Sequence, residues 1–187
     1  MKIIAIGRKR IVLATAGLLA LVLAVAGLSL AWAGHQHYQL GGGWIGSGGG
    51  MVWNCVQVPL DPEGKKAAIQ VHTVSYGADM AGLLAAFGAD SLSATHVGEA
   101  EMISGDTGKW TLVAYGVKQG NPPELRLINV MTGTATFTGV DRYNMKFTMA
   151  VYPAAADDDK DGFPDPGTTP AVTLTNLTAS VKRVPVP

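Results

Sequence analysis

Between Met131 and Tyr152 apolar and polar side chains alternate with a period of two. Thr132, Thr134, Thr136 and Thr138 fall on one side, and Met131, Ala135 and Phe137 on the other. Beyond Gly139-Val140-Asp141, Tyr143, Met145, Phe147, Met149 and Val151 share a side opposite Arg142, Asn144, Lys146 and Thr148. An extended backbone sends successive side chains to opposite faces, so each run reads as a strand with one buried face. The glycine-containing link between them reads as a hairpin turn.

The same reasoning predicts strands through most of what precedes and follows. The glycine-rich residues 41–50 read as a bent first strand, because an indole such as Trp44 is unfavourable in water and is expected to point inward. Residues 51–58 and 67–76 follow as strands, then 97–104 and 109–117 around the turn Gly105-Asp106-Thr107-Gly108. Residues 125–138 read as a long strand, either whole or broken at Gly133, and residues 171–175 and 177–184 as a last strand or pair. One segment changes period: Met80, Leu83, Leu84 and Phe87 recur at helical spacing, with Asp79 as the expected N-cap and Gly88 as the stop. About eight strands in meander order with one short helix leave too few elements to cover an open sheet. The expected fold is all-β: a single antiparallel meander, closed or nearly closed into a barrel, with a β-sandwich as the alternative.

Composition alters this picture at the start of the chain. Residues 1–33 carry a basic patch, Arg8-Lys9-Arg10, an uncharged run from 11 to 31, and small residues at the two key positions of Ala31-Trp32-Ala33. That is the layout of a secretory signal with a mature start at Gly34; an uncleaved membrane anchor facing outside is the alternative. Residues 34–187 then form a single β domain, secreted or periplasmic, touching a membrane only through an uncut leader. Removing the leader's four basic residues leaves 10 Lys and Arg against 14 Asp and Glu, a net charge of −4. A mildly acidic domain has no electrostatic footprint for nucleic acid. Cys55 is the sole cysteine, which excludes an intramolecular disulfide.

Asp157-Asp158-Asp159-Lys160-Asp161-Gly162-Phe163-Pro164-Asp165 carries the most specific chemistry. Carboxylates at every second position converge when a glycine permits a sharp turn, and a hard cation such as Ca²⁺ takes six or more oxygens from such a segment. The pattern resembles the first nine positions of an EF-hand-type calcium loop. That resemblance implies ligands at Asp157, Asp159, Asp161, the Phe163 carbonyl and Asp165. Thr168 stands where that family has its bidentate glutamate, and Pro164 and Pro166 forbid an exiting helix. The plainer reading is a solvated acidic loop.

Gly42-Gly43-Trp44 resembles the G-x-W signature on the first strand of the lipocalin and wider calycin barrels. In that family an arginine near the end of the last strand stacks on the tryptophan, and Arg183 is placed to do so. The resemblance implies a small apolar ligand inside the barrel. The candidate lining is Trp44, Tyr143, Met145, Phe147 and Met149, capped by the 80–87 helix. A filled core is the plainer reading of the same residues, and a structural or adhesive module the alternative function.

Other chemistry-bearing residues read blandly. His35 and His37 match amino-terminal copper sites poorly. Cys55 reads as a small buried hydrophobe, and His72 and His96 as strand histidines. Glu99 and Glu101 share a solvated face. No P-loop, nucleophile elbow, zinc helix or dinucleotide fingerprint occurs, so an enzyme is not expected.

Overall fold

The computed structural model describes residues 38–93 and 95–185. The expected leader and cleavage point, His35 and His37 lie outside these residues. The elements run β1 (Gly42–Gly48), β2 (Met51–Pro59), β3 (Lys66–Tyr76), α1 (Ala78–Ala86), β4 (Ser91–Leu92), β5 (Thr95–Met102), β6 (Thr107–Lys118), β7 (Glu124–Gly139), β8 (Arg142–Pro153) and β9 (Val172–Arg183).

Eight of the strands form a closed antiparallel barrel. Each pairs with the next along the chain, and β1 pairs with β9 from Trp44↔Arg183 to Gly48↔Ala179. The two-residue β4 follows the far end of β6, continuing the line of β5. Closure leaves no edge in the ring, so the sandwich alternative falls.

Alternation decides which side chains enter. Met51, Trp53, Cys55 and Gln57 are buried along β2, while the residues between them are exposed. Tyr143, Phe147, Met149 and Val151 are likewise buried along β8, with Met145 half-buried among them. Of the two readings at Gly133 the whole strand is the one present: β7 runs unbroken through it. Trp110, Gly133 and Phe147 stand side by side on three adjacent strands, and the Trp110 and Phe147 rings meet with centroids 5.6 Å apart. A Cβ on Gly133 would collide with the Lys146 carbonyl and lie 2.6 Å from the Phe147 Cβ. The glycine is therefore a spacer that lets two aromatic neighbours pack, not a stop signal.

Of the two readings for the end of the chain, the single strand is the one present: Asn176 takes a left-handed conformation (φ 57°) at a register shift opposite the Phe147–Met149 segment, and β9 continues past it. One further expectation is corrected. Asp79 is not the helix N-cap. Gly77 fills that position, its N–H bound to the Gly50 carbonyl and its own carbonyl accepting from Ala81. Asp79 lies in the first turn, where its charge still meets the positive end of the helix. The expected stop is present: Gly88 (φ 70°) donates to Ala85 and Ala89 donates to Leu84, a Schellman closure. Met80 and Leu84 are the helix residues buried in the core.

A second buried group lies outside the ring. Val113 and Ile128 have outward parity on β6 and β7, yet are 1% and 0% exposed. The segment after β8 accounts for this. Ala156 is buried there, and the Tyr115 hydroxyl, on the same outer face, donates to the Gly162 carbonyl at 3.1 Å. The acidic loop is thus fastened to the outside of the barrel wall. Among the described residues no helix is long and apolar enough to cross a membrane.

Candidate functional site: an interior cavity and an acidic loop

Inside the barrel lies a cavity of about 60 Å³. Trp53, Trp110, Phe137 and Phe147 give it aromatic walls, and Met51, Met131 and Met145 line it as well. A dry cavity of about 150 Å³ admits benzene, so a ring enters here only if side chains move. Methionine is the side chain best able to do so, being unbranched and free in three torsions.

Polar groups on the wall are few and neutral. The Gln57 amide N–H donates to the Tyr143 hydroxyl at 3.2 Å, and the Gln57 carbonyl accepts from the Gly41 N–H at 3.3 Å. Burial pushes the Cys55 thiol up to about 11, against a smaller opposing hydrogen bond from Tyr143. Burial likewise holds the Tyr143 phenol well above its ordinary range. His96 is 2% exposed; burial lowers its pKa, and its Nε2 lies 3.3 Å from the Thr73 hydroxyl. Lys109 borders the cavity, but its exposed side chain points outward, where the ammonium bonds Glu101 at 2.9 Å. Trp110 differs from the rest: its indole N–H is buried without an acceptor. These groups give no nucleophile paired with a base. A thiol held protonated and a neutral imidazole bound to a hydroxyl suit packing and recognition.

Of the residues expected to line a ligand site, Tyr143, Met145 and Phe147 are on the wall. Trp44 and Met149 are fully buried but do not line the cavity. Trp44 belongs to an aromatic plug beyond one end of it. Its ring meets Tyr143 edge-on at 4.9 Å and Phe137 at 6.2 Å, while Tyr38 stacks on Phe137 at 4.8 Å. The guanidinium of Arg183 sits 4.5 Å over the Trp44 ring, and the indole N–H donates to the Gly41 carbonyl. No residue of α1 lines the cavity, so the helix packs in the core without capping it. Trp53, Trp110, Met131 and His96 went unremarked as wall residues. The parity of Met51, Trp53 and Cys55 carried a signal for the first of them.

The acidic loop is organised around its own backbone. Asp157 accepts from the Asp161 and Gly162 N–H groups with its two oxygens, both at 3.1 Å. Asp159 accepts from Asp161 N–H at 3.1 Å, Asp161 from Phe163 N–H at 2.8 Å, and Asp165 from Asp158 N–H at 2.9 Å. Lys160 and Gly162 take positive φ, 60° and 92°, which curls the segment tightly. Asp157, Asp159 and Asp161 each bring a carboxylate oxygen within 4.8 Å of the others. Each ionised carboxylate has about four lone-pair sites, so these bonds leave acceptor capacity for a hard cation. Asp157 is 9% exposed while Asp159 and Asp161 face solvent, so an ion here would sit at the surface with one ligand anchored in the wall. Phe163, expected to offer its carbonyl, has a half-exposed ring. Glu101, by contrast, sits between Lys66 and Lys109, whose ammonium groups hold its carboxyl below the usual range.

No family model matches this chain, and no curated protein matches it. A solved structure described as EF1p2_mFAP2b bound to DFHBI is similar over 78% of this chain and 94% of its own, at 15% identity and a TM-score of 0.37. That degree of likeness fixes neither fold nor ligand for this chain.

Proposed function

We propose that this protein is an exported, non-enzymatic β-barrel that takes a small, largely apolar molecule into its interior, with the acidic loop binding Ca²⁺ as a structural clamp. The observation that carries the reading is the cavity inside a closed sheet, walled by aromatic rings and movable methionines. A few polar groups on an otherwise apolar wall are the usual make-up of a small-molecule site. Native mass spectrometry of protein purified without denaturant tests it. A retained low-mass molecule is expected, and Ala135→Leu, which adds bulk to the wall, is expected to release it without unfolding the barrel. A wild-type protein that neither retains nor takes up any small molecule would overturn the reading.

The calcium clamp rests on three converging carboxylates in a tightly curled loop. Saturating Ca²⁺ raises the unfolding temperature, a chelator reverses this, and Asp159→Asn weakens it; affinity of order 10⁻⁴–10⁻³ M suits an extracellular site. Export rests on the composition of residues 1–33 and predicts a mature N-terminus at Gly34. Amino-terminal sequencing that finds residues 1–33 retained would favour an anchored form. The second reading, a structural or adhesive module with no ligand, is favoured by the small size of the cavity. It predicts that chelation lowers stability while no small molecule raises it.

A further inference from the structure

Resting on the reading of the cavity as a small-molecule site, we propose that its ligand is an uncharged aromatic compound carrying a hydrogen-bond acceptor, and that the Trp110 indole N–H is the donor that selects it. The polar side chains on the wall are Gln57, Thr73, His96, Trp110 and Tyr143. All but Trp110 have partners within the protein: Gln57 with Tyr143 and Gly41, and Thr73 with His96. Trp110, 6% exposed, keeps its N–H unpaired. A buried donor without an acceptor loses its bond to water and gains nothing in return. Indole nitrogen is donor-only, so what satisfies it is an acceptor: a carbonyl, ether or hydroxyl oxygen. The Trp110 ring already stands against Phe147, so a flat ring reaching the indole finds aromatic faces on which to pack.

The same wall argues against a charged ligand. None of the wall residues turns a formal cation into it: Lys109 borders the cavity, but its side chain is 60% exposed and its ammonium bonds Glu101 outside. A carboxylate buried here would have no counter-charge, and an unpaired buried charge is costlier than any apolar contact returns. Fatty acids and other carboxylates are thus disfavoured, as are organic cations.

Three probes of similar size separate these demands: acetophenone, ethylbenzene and benzoate. They are titrated into the mature protein by calorimetry, and the indole N–H resonances are followed by proton NMR. Acetophenone is expected to bind about tenfold more tightly than ethylbenzene, the ratio that one recovered hydrogen bond supplies, and benzoate at least as weakly as ethylbenzene. The Trp110 indole proton is expected to shift downfield with acetophenone and not with ethylbenzene. Trp110→Phe is expected to erase the difference between the two neutral probes. Equal affinity for acetophenone and ethylbenzene, or tighter binding of benzoate, overturns the proposal while leaving the cavity reading intact. Failure of both neutral probes to bind overturns the cavity reading and this one with it. Should Trp110→Phe not fold, the wild-type indole shift decides the matter, and its absence with bound acetophenone overturns the proposal.

Discussion

The aromatic plug and the acidic loop solve the same problem by opposite means. At the plug, Trp44 is 0% exposed and is held by rings on Phe137 and Tyr143 with a guanidinium above it. Order there comes from removing large apolar surfaces from water. In the loop, five side chain-to-backbone bonds among residues 157–165 set the path, and most of the side chains remain wet. Order there comes from satisfying backbone donors locally, with Asp157 as the one acid pressed into the wall. A barrel needs both. The plug seals the interior, while the loop covers apolar side chains that alternation leaves on the outer surface.

Trp44→Ala should be the most damaging change, costing about 3–5 kcal/mol in urea unfolding, because it opens a void beneath Arg183 and strips two aromatic neighbours. A loss well under that range would mean the plug is loosely packed. Next is the alkaline limb of stability. The thiol of Cys55 is held to about 11 in the folded chain against 9.0 unfolded, so between these values only the unfolded chain has lost its proton. Stability is therefore full below pH 9 and falls as pH rises toward 11, by about 1.4 kcal/mol per unit at most. Cys55→Ala should flatten that limb, and a limb unchanged by the substitution would break the assignment.

The loop should respond less than the plug. Asp157→Ala leaves the Gly162 N–H without its acceptor and the Asp161 N–H with Asp159 alone, costing about 1–3 kcal/mol, and should quicken proteolysis within residues 157–165. Smallest is Arg183→Met, which keeps much of the stem and removes the cation over Trp44. A loss of about 0.5–1 kcal/mol is expected. If Arg183→Met costs more than Asp157→Ala, the guanidinium has a larger part in closing the barrel than its contact with Trp44 accounts for.

Much of the barrel was legible in the sequence because a period of two survives nearly intact along β2, β7 and β8. Trp44 declared its inward position simply by being an indole among glycines. Gly133 left two readings open, since a lone glycine looks the same whether it breaks a strand or makes room; only the register with Trp110 and Phe147 distinguishes the two. The choice between one last strand and a pair stayed open for a related reason, as Asn176 between the two runs suits a turn and a left-handed bulge equally well. The cavity wall was half legible. Strand parity marked Tyr143, Met145 and Phe147 as inward, but which inward residues border empty space depends on distances across the barrel. For the same reason Trp44 and Met149 were grouped with them, whereas both lie in packed core. His96 and Gln57 occupy inward positions that a hydropathy pattern marks as outward.

The central claim is that a small neutral molecule enters the barrel and rests against its aromatic wall. Intermolecular nuclear Overhauser effects measure this directly, with acetophenone present in excess over the protein. The account predicts contacts from its methyl and ring protons to the rings of Trp53, Trp110 and Phe147. Contacts confined to outward residues such as Val56 or Val97, or saturable binding with no contact to those three rings, would contradict it.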